Sequence, residues 1–395
     1  MRASGLWRPL RTARRLAQLH GRGPAVLIIA RPGPSKNTLM IRRFMMARPQ
    51  GGVARRQICP HTLRMPGHQL RPRLVLAPME GLADDILRDV LTRAGGYDWC
   101  VTEFVRVSST VLPHSVFTRV SPELKNASRT RAGTPVRIQL LGSDPDLLAA
   151  NAANLAKLNP AGIDLNFGCP TPLINRNRGG AALLDDPELL HRIAVAVRRA
   201  VPAPMAVTAK MRLGISDSSK AVECACALQD GGVQELVVHA RTKEDGYRPP
   251  ARWQSVGLIR ERLRIPVIAN GEVWTVADYQ AILQATGCDD VMLGRGAVAD
   301  PFLARHIRGE ETGDAVADWH AVAGMIRDFW SQAQNKVLPT QSPGRLKQWL
   351  IYLRRRYPQA DKLFSAVRAL RTAHEVSLVL RAASLPTSPV GLQIL

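Results

Sequence analysis

The N-terminal stretch of this chain has no acidic residue. Residues 1–73 hold 16 lysines and arginines but neither aspartate nor glutamate, and the first carboxylate is Glu80. The remainder carries 38 basic against 32 acidic residues, so the formal charge of +22 mostly describes the extension, and the body is only mildly basic. Long apolar runs are missing as well. The best run in the extension, Ala25–Ala30, is far short of the ~20 residues that a bilayer-spanning helix needs, so no membrane partner is expected. Paired cysteines are absent: the six cysteines (59, 100, 169, 224, 226 and 288) are scattered with no Cys-x-x-Cys spacing. That argues against a disulfide framework or zinc ribbon and for a reducing, cytoplasmic compartment. Cys224 and Cys226 sit in an alanine-rich helical run, where i and i+2 point to different faces. They read as packing, and no metal site is expected.

Three readings of residues 1–70 stay open. The stretch is rich in Arg, Pro and Gly without a sustained apolar period. It reads as disordered or upstream-translated sequence, with Met65 as an alternative start, as an acid-poor mitochondrial transit peptide, or as a basic RNA-binding arm. In each case it stands outside the fold.

From Leu74 short apolar runs alternate with helical segments. Strands are predicted at Leu74–Met79, Trp99–Phe104, Val136–Leu141, Gly162–Asn166, Met205–Met211, Glu235–His239, Val267–Asn270 and Asp290–Leu293. They are short and rich in Val, Ile and Leu, as strands covered on both faces must be. Helices are predicted between them at Asp84–Arg93, Asp146–Leu158, Pro187–Ala200, Ser219–Asp230, Trp253–Arg262 and Val276–Ala285. Eight such units predict an α/β fold, a (β/α)₈ TIM barrel over 71–312; a doubly wound open sheet is the alternative. From about Asp314 the pattern turns purely helical, with Ala315–Gln334, Gly344–Tyr357 and Asp361–Ala383 forming a small all-helical C-terminal domain over 313–395. Its second helix interleaves basic and aromatic residues. Either it is an ordinary amphipathic helix, or Arg345, Lys347 and Arg354 contact nucleic acid.

Barrel chemistry gathers at the carboxyl tips of strands. The fourth predicted strand ends in Gly168-Cys169-Pro170, presenting a single thiol. The first ends Pro78-Met79-Glu80-Gly81, the third carries Gln139, the fifth Lys210 and the sixth His239. A turn, an amide, a lysine and a histidine converging on one centre suit a planar heterocycle with alternating donors and acceptors. The seventh strand ends Asn270-Gly271-Glu272 and the eighth Gly294-Arg295-Gly296, and the loops after these two strands are where barrels hold phosphate. A flat ring with one phosphate tail, flavin mononucleotide (FMN), fits that arrangement.

The set Ala77-Pro78-Met79-Glu80-Gly81, Asp164-Leu165-Asn166-x-Gly168-Cys169-Pro170, Lys210-x-Arg212-x-Gly214, His239-x-Arg241-Thr242 and Asn270-Gly271-Glu272 resembles the tRNA-dihydrouridine synthases. Thr102–Val107, Gln234–His239 and Arg345-x-Lys347-Gln348-Trp349-Leu350 resemble the bacterial C-type branch of that family. The resemblance implies that NADPH reduces bound FMN and leaves, and that hydride then passes from flavin N5 to C6 of a uridine flipped out of folded tRNA. It implies Cys169 as the general acid toward C5, a role suited to a thiol, whose reference pKa of ~8.5 leaves it mostly protonated at neutral pH. Pro78, Met79, Glu80, Gln139, Lys210 and His239 are implied at the flavin ring, and Asn270, Gly271, Glu272, Gly294 and Arg295 toward its phosphate. Arg106, Asn166 and Tyr247 are implied to face the tRNA substrate, with uridine 16 of the D-loop as target and a monomer as the working form.

One loop departs from the family. After the cysteine it is usually glycine-rich, but here it reads Asn175-Arg176-Asn177-Arg178-Gly179-Gly180. Arg176 and Arg178 either add phosphate contacts or alter which uridine is accepted. Two other functions remain open on the residues alone: a dihydroorotate-dehydrogenase-like flavoprotein acting on a free pyrimidine, and a catalytically dead RNA-binding barrel.

Overall fold

The computed structural model describes residues 71–176, 179–310 and 315–383. The expectations for residues 1–70 lie outside the described residues, as do Arg178 and the side chain of Arg176.

All eight predicted strands form, and they close into one parallel barrel in chain order. They are β1 (Leu74–Leu76), β2 (Trp99–Arg106), β3 (Val136–Leu141), β4 (Ile163–Phe167), β5 (Val207–Arg212), β6 (Leu236–His239), β7 (Val267–Asn270) and β8 (Asp290–Leu293). Closure comes from β8 pairing back onto β1, Leu74 to Val291 through Leu76 to Leu293. Strand β1 is shorter than its apolar run. Pro78 has no N–H to give a ladder, and the chain turns at once, with Leu82 and Ala83 N–H both donating to the Met79 carbonyl.

Period-two alternation divides each strand between two environments. Ile138, Leu140, Ile163, Leu165, Val207, Ala209, Met211, Leu236 and Val238 pack outward among the helices. The alternate positions point inward: on β4 and β5 they are polar, and on β3, β6 and β7 polar Gln139, His239 and Asn270 share the interior with Leu141, Val237 and Ile268. Register sets Gln139 beside Asp164, Asp164 beside Thr208, Asn166 beside Lys210, and Arg212 beside His239. The amino-terminal end of the barrel is plugged. The Trp99 ring lies between the guanidinium groups of Arg73 (5.0 Å) and Arg137 (4.2 Å), and both arginines pair with Glu235 while Arg73 also pairs with Asp290.

The six predicted helices form near their expected bounds, several opened by a side-chain cap such as Asp144, Asp186 or Thr275. Between β2 and β3 lies a short helix, His114–Val120, that the apolar pattern did not announce. It is only two turns long, opens on Pro113 without a side-chain cap, and buries a single residue, Phe117, so it leaves little periodic signal. Beyond the barrel, helices run over Ala315–Lys336, Ser342–Leu353, Pro358–Val367 and Ala373–Ala382. The last predicted helix is therefore two, because Thr372 and Glu375 form a capping box that restarts the chain. Trp349, fully buried, seats these helices on the barrel: its Nε1 donates to the Val298 carbonyl (3.1 Å) and its ring meets Phe329 at 5.0 Å.

Candidate active site

The inward polar belt opens into a cavity of about 440 Å³ at the carboxyl ends of the strands. Of the residues singled out from the sequence, Cys169, Asn166 and Tyr247 line it, as do Pro78, Met79, Glu80, Gln139, Lys210, His239, Asn270, Gly271, Glu272, Gly294 and Arg295. Seven stretches far apart in the chain, at the ends of β1 and of β3 to β8, thus meet at one opening.

Cys169 is held from both sides. The Asn166 Oδ1 accepts from the backbone N–H of Gly168 (3.0 Å) and of Cys169 (2.9 Å). The Cys169 carbonyl accepts from Asn175 Nδ2 and from the Ala181 N–H. The thiol donates toward Thr171 Oγ1 at 3.3 Å and is backed by Leu141, Ile174 and Phe104. Gly180 is required here: its φ is +61°, and a Cβ would come within 2.8 Å of the Cys169 carbonyl oxygen.

The wall beside the cysteine, built from β5, β6 and the end of β8, is strongly cationic. Burial, then the charges of Lys210, Arg212, Arg241 and Arg295, hold the His239 imidazole well below its ordinary range, so the ring is neutral. Lys210 is pushed down to about 7 by burial and by Arg212, with Asp164 working the other way. Its ammonium has no hydrogen-bond partner among the described residues. Arg241, fully buried, pairs with Glu272 and is still lowered to about 10 by burial and by Arg295 and Arg212. Cations crowded enough to depress one another make a site whose balance an anion would restore. At the opposite lip, partial burial and the neighbouring Glu103 carboxylate raise Glu80 to about 7.

These features fit the flat ring with a phosphate tail expected from the sequence. A Cβ on Gly294 would come into van der Waals contact with Ala77 (3.8 Å) and Met79 (4.0 Å), so the bare backbone there keeps the space beside the β1 end free. Pro78, Met79 and Gly294 leave a slot; Lys210 offers an unpaired ammonium; Arg295 stands at the end where a phosphate is expected. Among the described residues no cluster could hold a metal ion.

Several residues at this mouth were given no role from the sequence. Arg212 donates to three carbonyls, Gly168 (2.9 Å), Thr242 (2.8 Å) and Gly246 (2.8 Å), joining the cysteine loop to the loop that carries Tyr247. A stack of alternating cations and rings leads outward. Arg295 lies 4.7 Å from the Tyr247 ring and 5.2 Å from the Trp274 ring, and Arg355 covers Trp274 at 4.0 Å. Gln348 and Tyr352 also reach the cavity.

The basic residues named for nucleic acid are differently disposed. Arg345 donates to the carbonyls of Gly81 (3.0 Å) and Leu82 (3.1 Å) and pairs with Asp84, beneath the β1 turn. Lys347 donates to the Leu370 carbonyl. Arg354 pairs with Asp361 at 3.1 Å and lies over Phe364. None of these three lines the cavity, nor does Arg106, the last residue of β2.

The dihydrouridine synthase (Dus) family model matches residues 75–374, the barrel and most of the helical region. The chain belongs to the dihydrouridine synthase family. It is 54% identical over 305 residues to the tRNA-dihydrouridine(16) synthase of Ralstonia nicotianae, covering 77% of this chain and 94% of that one. It is 53% identical over 310 residues to the protein of the same name from Aquipseudomonas alcaligenes (78% and 98% covered). With that of Neisseria meningitidis serogroup B the figure is 48% over 313 residues (78% and 94%). In this dihydrouridine synthase the cavity, the thiol and the cationic wall all fall inside the matched region.

Proposed function

We propose that this dihydrouridine synthase reduces the C5–C6 double bond of a uridine in tRNA, at position 16 of the D-loop, with NADPH as electron donor and FMN as its resident cofactor. The observation that carries the reading is the thiol of Cys169, held at the tip of β4 in one cavity with the cationic residues of the neighbouring strands, in a chain half identical to proteins named for that reaction. The enzyme works as a monomer in the cytoplasm, with 71–312 as catalytic barrel and 313–395 as the part that meets tRNA.

Pro78, Met79, Glu80, Gln139, Lys210 and His239 would hold the flavin ring; Asn270, Gly271, Glu272, Gly294 and Arg295 would hold its phosphate. When bound, the flavin supplies a hydride to C6 of the uracil. The residues of the chain do the rest. Asn166 and Tyr247 receive the uridine, which must leave its stack to reach a cavity this deep, and Arg106, which does not line the cavity, faces the tRNA outside it. The Cys169 Sγ–H, which donates to Thr171 Oγ1, supplies the proton to C5. Neutral His239 adds no competing charge beside the ring. On the helical side Arg345 fixes the β1 turn, while Lys347 and Arg354, held by the Leu370 carbonyl and Asp361, add only diffuse positive charge toward tRNA.

The test is to incubate the purified protein with unmodified tRNA and NADPH and map dihydrouridine by reverse-transcription stops after alkaline treatment. The expected result is one product at position 16, with orotate and free uracil inert. Turnover of orotate, or no product on any tRNA by protein that has bound flavin, would overturn the proposal.

A further inference from the structure

Asp164 has no part in the reaction proposed above. It is 2% exposed, does not line the cavity, and carries a carboxylate into the barrel interior with no hydrogen-bonded cation. A buried carboxylate is expensive unless its oxygens are satisfied. Both are: Thr208 Oγ1 donates to Oδ1 at 2.6 Å, and Gln139 Nε2 donates to Oδ2 at 2.7 Å.

The bond to Gln139 is the first link of a chain. Gln139 Oε1 accepts from Asn166 Nδ2 at 2.7 Å, and Asn166 Oδ1 accepts from the N–H groups of Gly168 and Cys169. The far end can only donate, because backbone N–H groups accept nothing, and the near end accepts because it is a carboxylate. Burial works to raise the Asp164 carboxyl above its ordinary range, but in either protonation state an oxygen accepts from Gln139 Nε2, so the amide chain has one polarity. Each amide nitrogen has two hydrogens and spends one on the chain. One N–H of Gln139 and one of Asn166 are therefore left over, and both side chains line the cavity.

We infer that Asp164 is a positioning residue, the acceptor anchor that fixes Gln139 and Asn166 as hydrogen-bond donors toward the cavity and, through Asn166, holds the Gly168–Cys169 turn in place. The wall so built presents two N–H donors suited to carbonyl oxygens. On the proposed function, on which this consequence rests, that matches the carbonyls of a flavin and of uracil. Without the anchor, the Gln139 N–H loses its acceptor inside a dry barrel, and the simplest relief is for the amide to turn over. That would set donor against donor at Asn166 and release the turn.

The test compares Asp164→Leu, which removes the acceptor, with Asp164→Asn, whose carbonyl can still take the Gln139 N–H while its amide faces Thr208. Iodoacetamide labelling of the full-length protein as purified, read cysteine by cysteine by peptide mass spectrometry, reports the turn directly. Buried Cys224 and Cys288 serve as internal standards for global opening. Asp164→Leu should label Cys169 about tenfold faster with both standards unchanged, and Asp164→Asn should stay within about twofold of wild type. In turnover the Leu variant should lose kcat more than it raises KM for tRNA, and the Asn variant should recover most of the loss. If the Leu variant opens globally, Gln139→Met cuts the same chain one link nearer and should show the selective gain at Cys169. Unchanged Cys169 labelling in the Leu variant, or in Gln139→Met where that variant decides, overturns the inference. So does an Asn variant as impaired as the Leu variant, which would assign the effect to charge. Failure to form dihydrouridine at all would count against the proposed function while leaving the cysteine rates interpretable.

Discussion

The guanidinium of Arg355 lies 4.0 Å over the indole of Trp274, so the helical region grips the loop after β7 beside the cavity. Trp274 is itself tied down, its Nε1 donating to Glu272 at 2.9 Å. Arg354, one residue earlier, points elsewhere and pairs with Asp361. Adjacent arginines on one basic helix end are thus predicted to differ. Arg355→Ala should weaken tRNA binding three- to tenfold and lower the salt slope by about one, as the loss of one phosphate contact does. Arg354→Ala should change either quantity much less. Filter binding at two salt concentrations measures both, and equal effects would remove Arg355 from the RNA-facing surface.

Replacing Cys169 by alanine removes the thiol proton and leaves the backbone bonds to Asn166, Asn175 and Ala181 in place. Flavin should stay bound at the wild-type ratio. Dihydrouridine formation should fall by ~10²–10⁴, the usual contribution of a positioned general acid. The rate at which NADPH reduces the flavin should not change, since that step needs no proton from Sγ. Single-turnover measurements of the two half-reactions separate them, and a reductive step slowed alongside the oxidative one would contradict the assignment.

Lys210 gives the pH dependence a sign. Its pKa in the chain alone is down to about 7, with burial first and Arg212 second among the causes. A flavin acceptor placed against the ammonium would favour the charged form and raise that value. Binding then takes up a proton wherever the free protein has lost one, which is above pH 7. Flavin affinity should therefore be level just below pH 7 and fall as pH rises above it, by at most tenfold per unit, until the raised pKa of the complex is reached. The phosphate, with a second pKa of about 6, is already dianionic over that range and adds no slope. Titration calorimetry in two buffers of different ionisation enthalpy at pH 8 should register the proton uptake, and Lys210→Met should abolish it. An affinity that rises between pH 7 and 9 would place the ammonium away from the ring.

The barrel was legible because its period-two and period-3.6 signals are strong and its strands fall at regular spacing. The polar residues at the strand tips pointed correctly to a single mouth. What the sequence hid has a common cause. Asp164, Arg212 and Trp274 act through partners on other strands and loops, and parallel strands set their neighbours tens of residues apart. Arg345, Lys347 and Arg354 looked alike as charges on one helix. Their differences come from what each meets, the Gly81 carbonyl, the Leu370 carbonyl and Asp361, and no local pattern encodes that. The two-turn His114–Val120 helix was missed because it buries only Phe117.

Trp349 tests whether the helical region and the barrel fold as one body. It is fully buried, packs on Phe329 of the long helix, and donates to Val298 in the short Arg295–Ala299 helix that follows β8. Trp349→Ala removes the largest side chain at this junction and orphans the Val298 carbonyl. Truncations of this kind cost about 3–5 kcal/mol, which in a chain of this size lowers the melting temperature by roughly 10 °C. Because the short helix begins at Arg295, the loss should spread to the cavity and weaken flavin binding, although Trp349 touches no cavity atom. Trp349→Phe keeps most of the packing and forfeits only the hydrogen bond, so it should cost about 1 kcal/mol and leave flavin binding near wild type. Differential scanning calorimetry with and without added flavin distinguishes the outcomes. A single transition shifted downward in the alanine variant agrees with one cooperative body. Two resolved transitions, with the flavin-sensitive one unmoved, would mean that the helical region is only docked on an independently stable barrel.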